Sequence, residues 1–151
     1  KGLSPKQNRE IPELDYGRVY QLKQDFPDLE IIINGGITDL EQSKQHLTQI
    51  DGVMIGREAY TNPYLLAEVD QQIYGSENSM QSRKKVAEEF IQYVDNELSQ
   101  NIKLQSMTRH ILGLFHGMPG ARQFRRHISE NAHQPNATID VLIEALAKTT
   151  G

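Results

Sequence analysis

Two short apolar runs, each stopped by glycine and separated by one helical segment, constrain this chain more than any other feature. The first is Glu30-Ile31-Ile32-Ile33, halted by Asn34-Gly35-Gly36; the second is Gly52-Val53-Met54-Ile55, halted by Gly56-Arg57. Short continuous apolar runs rich in β-branched residues read as strands buried in a parallel sheet. Parallel neighbours need a crossover between them. Here Thr38-Asp39-Leu40-Glu41 has the form of a capping box, opening a helix to about Leu47. Upstream, Val19, Leu22 and Phe26 recur at helical spacing over 15–26, and Pro27 ends the run. Downstream, Asn62-Pro63 offers an N-cap and a first-turn proline for a helix running to Tyr74, before Gly75.

The pattern changes character near residue 75. After the polar linker Ser76-Glu77-Asn78-Ser79, strand signals disappear. Val86, Phe90, Val94 and Leu98 mark one helix face; Leu104, Met107, Ile111 and Leu114 mark a second. Gly117-Met118-Pro119-Gly120 is a turn, Phe124 and Ile128 mark a third helix, and Thr138 caps a fourth carrying Ile139, Leu142, Ile143 and Leu146. The expectation is an α/β part over 1–75 followed by an all-α part over 76–151, with residues 80–148 as a small helical bundle. A bundle of about 70 residues is near the lower limit for an independent core, so it is expected to lean on the first part.

Composition narrows the chemistry. The 151 residues contain no Cys, which excludes a disulfide framework, a thiolate zinc site and a Cys nucleophile within the chain. No stretch approaches the roughly 18 apolar residues of a bilayer span. The chain opens on Lys1 with no leader pattern after it, and the expectation is a piece of a longer, cytoplasmic protein. The net charge of −4 hides a segregation: from Leu98 to Ser129 there is no Asp or Glu, but there are Lys103, Arg109, Arg122, Arg125 and Arg126. The opening segment carries Lys1, Lys6 and Arg9, also without an acid before Glu10. Such islands present local positive surface that the net charge conceals.

The glycine turns are the strongest chemical signal. In parallel α/β folds ligands bind at the carboxyl ends of the strands, where glycine lets backbone N–H groups approach an anion. Asn34-Gly35-Gly36 and Gly56-Arg57 follow consecutive strands, and the Arg57 guanidinium can grip a phosphate with two hydrogen bonds. The competing explanation is that these glycines only turn the chain. Neither a G-x-G-x-x-G fingerprint nor a P-loop is present. Arg122, Arg125 and Arg126 lie at helical spacing beside Phe124, which fits either an RNA-backbone surface or a solvated basic face over a core Phe. The histidines have no metal-ligand spacing: His110 and His116 are six apart, and His46 and His133 stand alone. Tyr60 and Tyr64 border either a cofactor or the helix packing.

Four segments carry a resemblance. INGGI at 33–37 and DGVMIGREAYTNPYLL at 51–66 closely resemble the tRNA-dihydrouridine synthases. The opening KGLSPKQNREIPELDY and GLFHGMPGARQFRRHIS at 113–129 resemble the A-type subfamily in particular. The resemblance covers essentially the whole chain. It implies the last strand–helix units of an FMN-containing TIM (β/α)8 barrel over 1–75, then a helical tRNA-binding domain over 76–151. It implies reduction of tRNA D-loop uridine to 5,6-dihydrouridine, at positions 20/20a, with FMN and NADPH. Asn34, Gly35, Gly36, Gly56 and Arg57 match the family's flavin-phosphate turns. Lys6, Arg9, Arg122 and Arg125 match positions used against tRNA. The family's catalytic Cys has no counterpart here, so the resemblance implies no catalytic residue in this chain and no activity for it alone. Exposed edges of a partial barrel are expected to favour association. Two alternatives stay open: another barrel enzyme binding FMN or a phosphorylated ligand, and a non-catalytic RNA-binding module.

Overall fold

The computed structural model describes residues 2, 4–10 and 13–149, with the side chains of residues 8–10 excepted. The chain separates into two compact units, 1–56 and 57–151.

In the first unit, α1 (Pro5–Glu10) is followed by α2 (Tyr16–Asp25), β1 (Ile32–Asn34), α3 (Leu40–Leu47) and β2 (Gly52–Met54). The Asp15 side chain caps α2 by accepting from Arg18 N–H. β1 and β2 pair in parallel, with Ile32 opposite Gly52, Ile33 opposite Val53 and Asn34 opposite Met54. α3 is the crossover. Its cap lies one residue later than the expected box: Asp39 accepts from Gln42 N–H at 2.7 Å, and the Gln42 side chain reaches back to Thr38 N–H at 3.2 Å. Ile33, Ile37 and Ile50 form the buried centre, packed by Tyr16, Val19, Tyr20, Ile31, Val53 and Ile55.

The strands are not buried on both faces. Successive side chains alternate, so Ile33 points into the centre while Ile32 points out and is 58% exposed. Met54 on β2, and Leu14, Leu22, Phe26 and Leu29 around α2, are likewise exposed. The helical stripe over 15–26 therefore forms the expected helix, but Leu22 and Phe26 remain exposed among the described residues.

The second unit contains α4 (Arg57–Thr61), a 3₁₀ helix (Pro63–Glu68), α5 (Val69–Gln72), α6 (Arg83–Ser99), α7 (Leu104–Thr108), α8 (Ala121–Asn131) and α9 (Asp140–Leu146). Residues 57–75, expected with the strand–helix half, pack here with the helices. Tyr64 joins the helical core, and the Arg83 guanidinium lies 4.0 Å over its ring while also donating to the Leu114 carbonyl. A Cβ at Gly113 would run into the Thr61 carbonyl, so the backbones meet closely there. The single helix expected from Asn62 to Tyr74 is instead a 3₁₀ turn and one α turn, and the Asn62 side chain caps nothing.

α6 matches the expected stripe, capped by Ser82 on Lys85 N–H. The run Leu104–Leu114 is α-helical only to Thr108. Beyond it the bonds tighten, with Ile111 N–H to Thr108, Leu114 N–H to Ile111 and His116 N–H to Gly113. Thr138 meets the start of α9, its Oγ accepting from Asp140 N–H at 3.3 Å. The core centres on Val94, Phe124, Ile128, Leu142 and Ala145, all nearly inaccessible.

Candidate functional site

The turn after β1 is built around two left-handed glycines, Gly35 at φ 124° and Gly36 at φ 68°. An added Cβ at Gly35 would lie 2.8 Å from Leu14 Cδ2; at Gly36 it would lie 2.6 Å from Leu14 Cδ1 and 2.9 Å from the Tyr16 hydroxyl. Both the backbone angle and the fit of the 14–16 segment thus require glycine at these positions. The Tyr16 hydroxyl donates to the Gly35 carbonyl at 2.7 Å. The N–H groups of Gly35 and Gly36 have no partner among the described residues, and Asn34 and Gly36 are exposed. Two successive free N–H groups at the carboxyl end of a parallel strand can hold an anion.

The second turn differs. Gly56 has no positive φ, and a Cβ there would meet Met54 Sδ at an ordinary 3.5 Å. Nothing in the local geometry demands glycine at 56. Arg57 opens α4, in the second unit, as an exposed guanidinium with no ion pair among the described residues.

The basic candidates are distributed over both units. Lys6 is exposed on α1, and Arg9 follows one turn later with its side chain outside the described residues. In α8, Ala121, Phe124 and Ile128 are buried, which turns Arg122 and Arg125 to solvent. Neither has a carboxylate partner among the described residues. Arg126 does: its Nε lies 2.7 Å from Glu130, and that hydrogen bond raises the guanidinium pKa further. Of the three α8 arginines, the free cations are therefore Arg122 and Arg125.

Of the two tyrosines, Tyr64 packs: Arg83 stacks on its ring and its hydroxyl donates to Gln81 O at 2.6 Å. Tyr60 remains 57% exposed, edge-on to His110 with centroids 5.7 Å apart. Among the described residues no group of three or more His, Cys, Asp or Glu is placed to hold a metal ion, and no helix is long and apolar enough to cross a membrane.

Sequence reasoning missed Tyr16 and Leu14. Their contacts with the glycine turn span 19 and more residues, and no local pattern announces such a contact.

Comparison with known proteins gives this arrangement its context. A sequence model described as "Dihydrouridine synthase (Dus)" matches residues 2–150. A tRNA-dihydrouridine(20/20a) synthase of Vibrio cholerae serotype O1 is 63% identical over 147 residues, covering 97% of this chain and 45% of that protein. Its namesake in Vibrio vulnificus is 60% identical with the same coverage. That of Escherichia coli strain K12 is 58% identical over 145 residues, covering 96% of this chain and 42% of that protein. The chain spans less than half the length of the curated relatives it matches. With nearly every residue inside the family match, the chain belongs to the dihydrouridine synthase family.

Proposed function

We propose that this chain is the C-terminal part of a cytoplasmic, flavin-dependent enzyme that reduces uridine to 5,6-dihydrouridine in the tRNA D-loop, at positions 20/20a. In this reading residues 1–75 belong to the end of a TIM barrel and residues 76–151 to a helical tRNA-binding domain. The observation that carries it is the Gly35-Gly36 turn: two left-handed glycines with free N–H groups at the end of a parallel strand, in a chain of this family. The outward face of the two strands, with Ile32 and Met54 exposed, also suits a barrel whose other strands cover it.

The residues fit a flavin phosphate in kind. Gly35 and Gly36 offer N–H donors, Asn34 an exposed amide beside them, Gly56 an open backbone and Arg57 a guanidinium with no ion pair among the described residues. Bound FMN supplies the hydride for the uracil C5–C6 bond, with NADPH as reductant. Lys6, Arg9, Arg122 and Arg125 hold the tRNA backbone, fixing its position without reading its bases. With no Cys in this chain, the acid that protonates the ring is supplied by other residues of the longer protein, and the 151-residue chain alone is inactive.

The test is flavin retention by the full-length protein. Wild type should carry a visible flavin spectrum, and Arg57→Ala should lose one to two decades of FMN affinity, the effect of a lost charge-assisted contact of about 1.5–3 kcal/mol. Undiminished occupancy in Arg57→Ala on dilution would remove Arg57 from the phosphate site. A protein that binds no flavin would overturn the reading.

A further inference from the structure

The bond from the Tyr16 hydroxyl to the Gly35 carbonyl fixes more than the carbonyl. In a planar trans peptide the C=O and the following N–H point in opposite directions. No cis peptide occurs among the described residues. Gripping the Gly35 oxygen therefore aims the Gly36 N–H away from Tyr16; Gly36 is exposed, and that N–H has no partner among the described residues. A Gly-Gly peptide is otherwise free to rotate, because neither residue carries a Cβ to block the alternative.

Tyr16 is itself held in place. Its ring stands edge-on to His46, centroids 4.6 Å apart at 72°. His46 is 7% exposed, and its Nδ1 is 2.6 Å from the Tyr20 hydroxyl. Tyr16 and Tyr20 lie one turn apart on α2, so both face His46 on α3. The ring contact with buried His46 thus places the Tyr16 hydroxyl, and that hydroxyl sets one peptide plane.

We propose that Tyr16 is a positioning residue for anion binding at the Gly35-Gly36 turn, holding the peptide so that the Gly36 N–H faces the ligand phosphate. This rests on the reading that the turn takes a flavin phosphate. Tyr16 does not touch the ligand; it acts through the Gly35-Gly36 peptide.

The experiment compares FMN with riboflavin, which lacks the phosphate, in the full-length protein. Tyr16→Phe keeps the ring against His46 and removes only the hydroxyl. It should weaken FMN binding about two- to tenfold, the range of one neutral hydrogen bond, and leave riboflavin binding unchanged. Tyr20→Phe is the matched control, since it removes a hydroxyl bonded to the same His46 but not to the turn. It should leave the FMN-to-riboflavin ratio at the wild-type value. Unchanged FMN affinity in Tyr16→Phe overturns the proposal, as does equal loss of both flavins or an equal shift in Tyr20→Phe. A Tyr16→Phe protein that does not fold makes the hydroxyl a fold determinant and overturns it too. Failure of the underlying reading looks different: wild type itself would bind FMN no tighter than riboflavin, and the proposal would fall with it.

Discussion

The Lys23 ammonium lies 2.8 Å from the Asp51 carboxylate and donates to the carbonyls of Pro27 and Leu29 at 2.9 and 2.8 Å. Asp51 also accepts from Ile31 N–H at 2.8 Å, and its own N–H donates to the Ile31 carbonyl. One ion pair thus ties the end of α2 to the start of both strands. The Lys23 hydrogen bond, followed by that of Ile31 N–H, holds the Asp51 pKa below the usual carboxylate range. A depressed pKa stabilises the fold at pH values above the ordinary carboxylate pKa, and the contribution is lost as pH falls through the folded value. Asp51→Asn should therefore be less stable than wild type near neutrality, with the difference shrinking on acidification. Urea midpoints from about pH 7 to about pH 3 measure this; a constant difference would remove Asp51 from the acid response.

Gly36→Ala should destabilise the first unit by about 1–3 kcal/mol, since it puts a side chain at φ 68° and against Leu14 and Tyr16. Gly17→Ala is the contrast. Gly17 lies within α2 with ordinary φ and only Asp15 Oδ1 nearby at 3.5 Å, so alanine should be neutral or stabilising by about 0.5–1 kcal/mol. Chemical denaturation of the two variants decides it, and similar midpoints would contradict the left-handed turn.

Gly113→Ala should cost about 3 kcal/mol, because the obstacle is the Thr61 backbone rather than a side chain that can move aside. Loss of stability localised by hydrogen exchange to residues 57–64 and 104–115 would confirm that contact. A silent substitution would mean that the two backbones do not meet so closely.

Replacing Arg122 and Arg125 together with Ala should weaken tRNA binding and flatten its dependence on salt by about 0.7–0.9 in slope per lost contact. Arg126→Ala should change the slope less, because Glu130 already neutralises that guanidinium. Superimposable plots of affinity against salt for wild type and the double variant would reduce these arginines to a solvated face.

Much of this was legible locally. The four-residue stripe of α6 and the crossover between two β-rich runs are short-range signals, and each produced its element. The readings that moved were those where neighbours decide. Thr38-Asp39-Leu40-Glu41 has the form of a box, yet the cap in the structure is Asp39, accepting from Gln42 N–H. Leu104–Leu114 has helical spacing throughout, yet its later half winds more tightly where Gly113 meets the Thr61 backbone.

The sequence by itself determined the order and type of the main elements, the parallel pairing and the need for glycine where a strand must turn sharply. These depend on periodicity, capping and backbone sterics within a few residues. Only the tertiary structure decided that Ile32 faces outward while Ile33 is buried, that Lys23 pairs with Asp51, and that Tyr16 reaches across to Gly35. The physical reason is the same in each case. Burial, charge pairing and the aim of a free N–H depend on what another segment of chain brings to within a few ångströms, and composition and spacing carry no record of that distance.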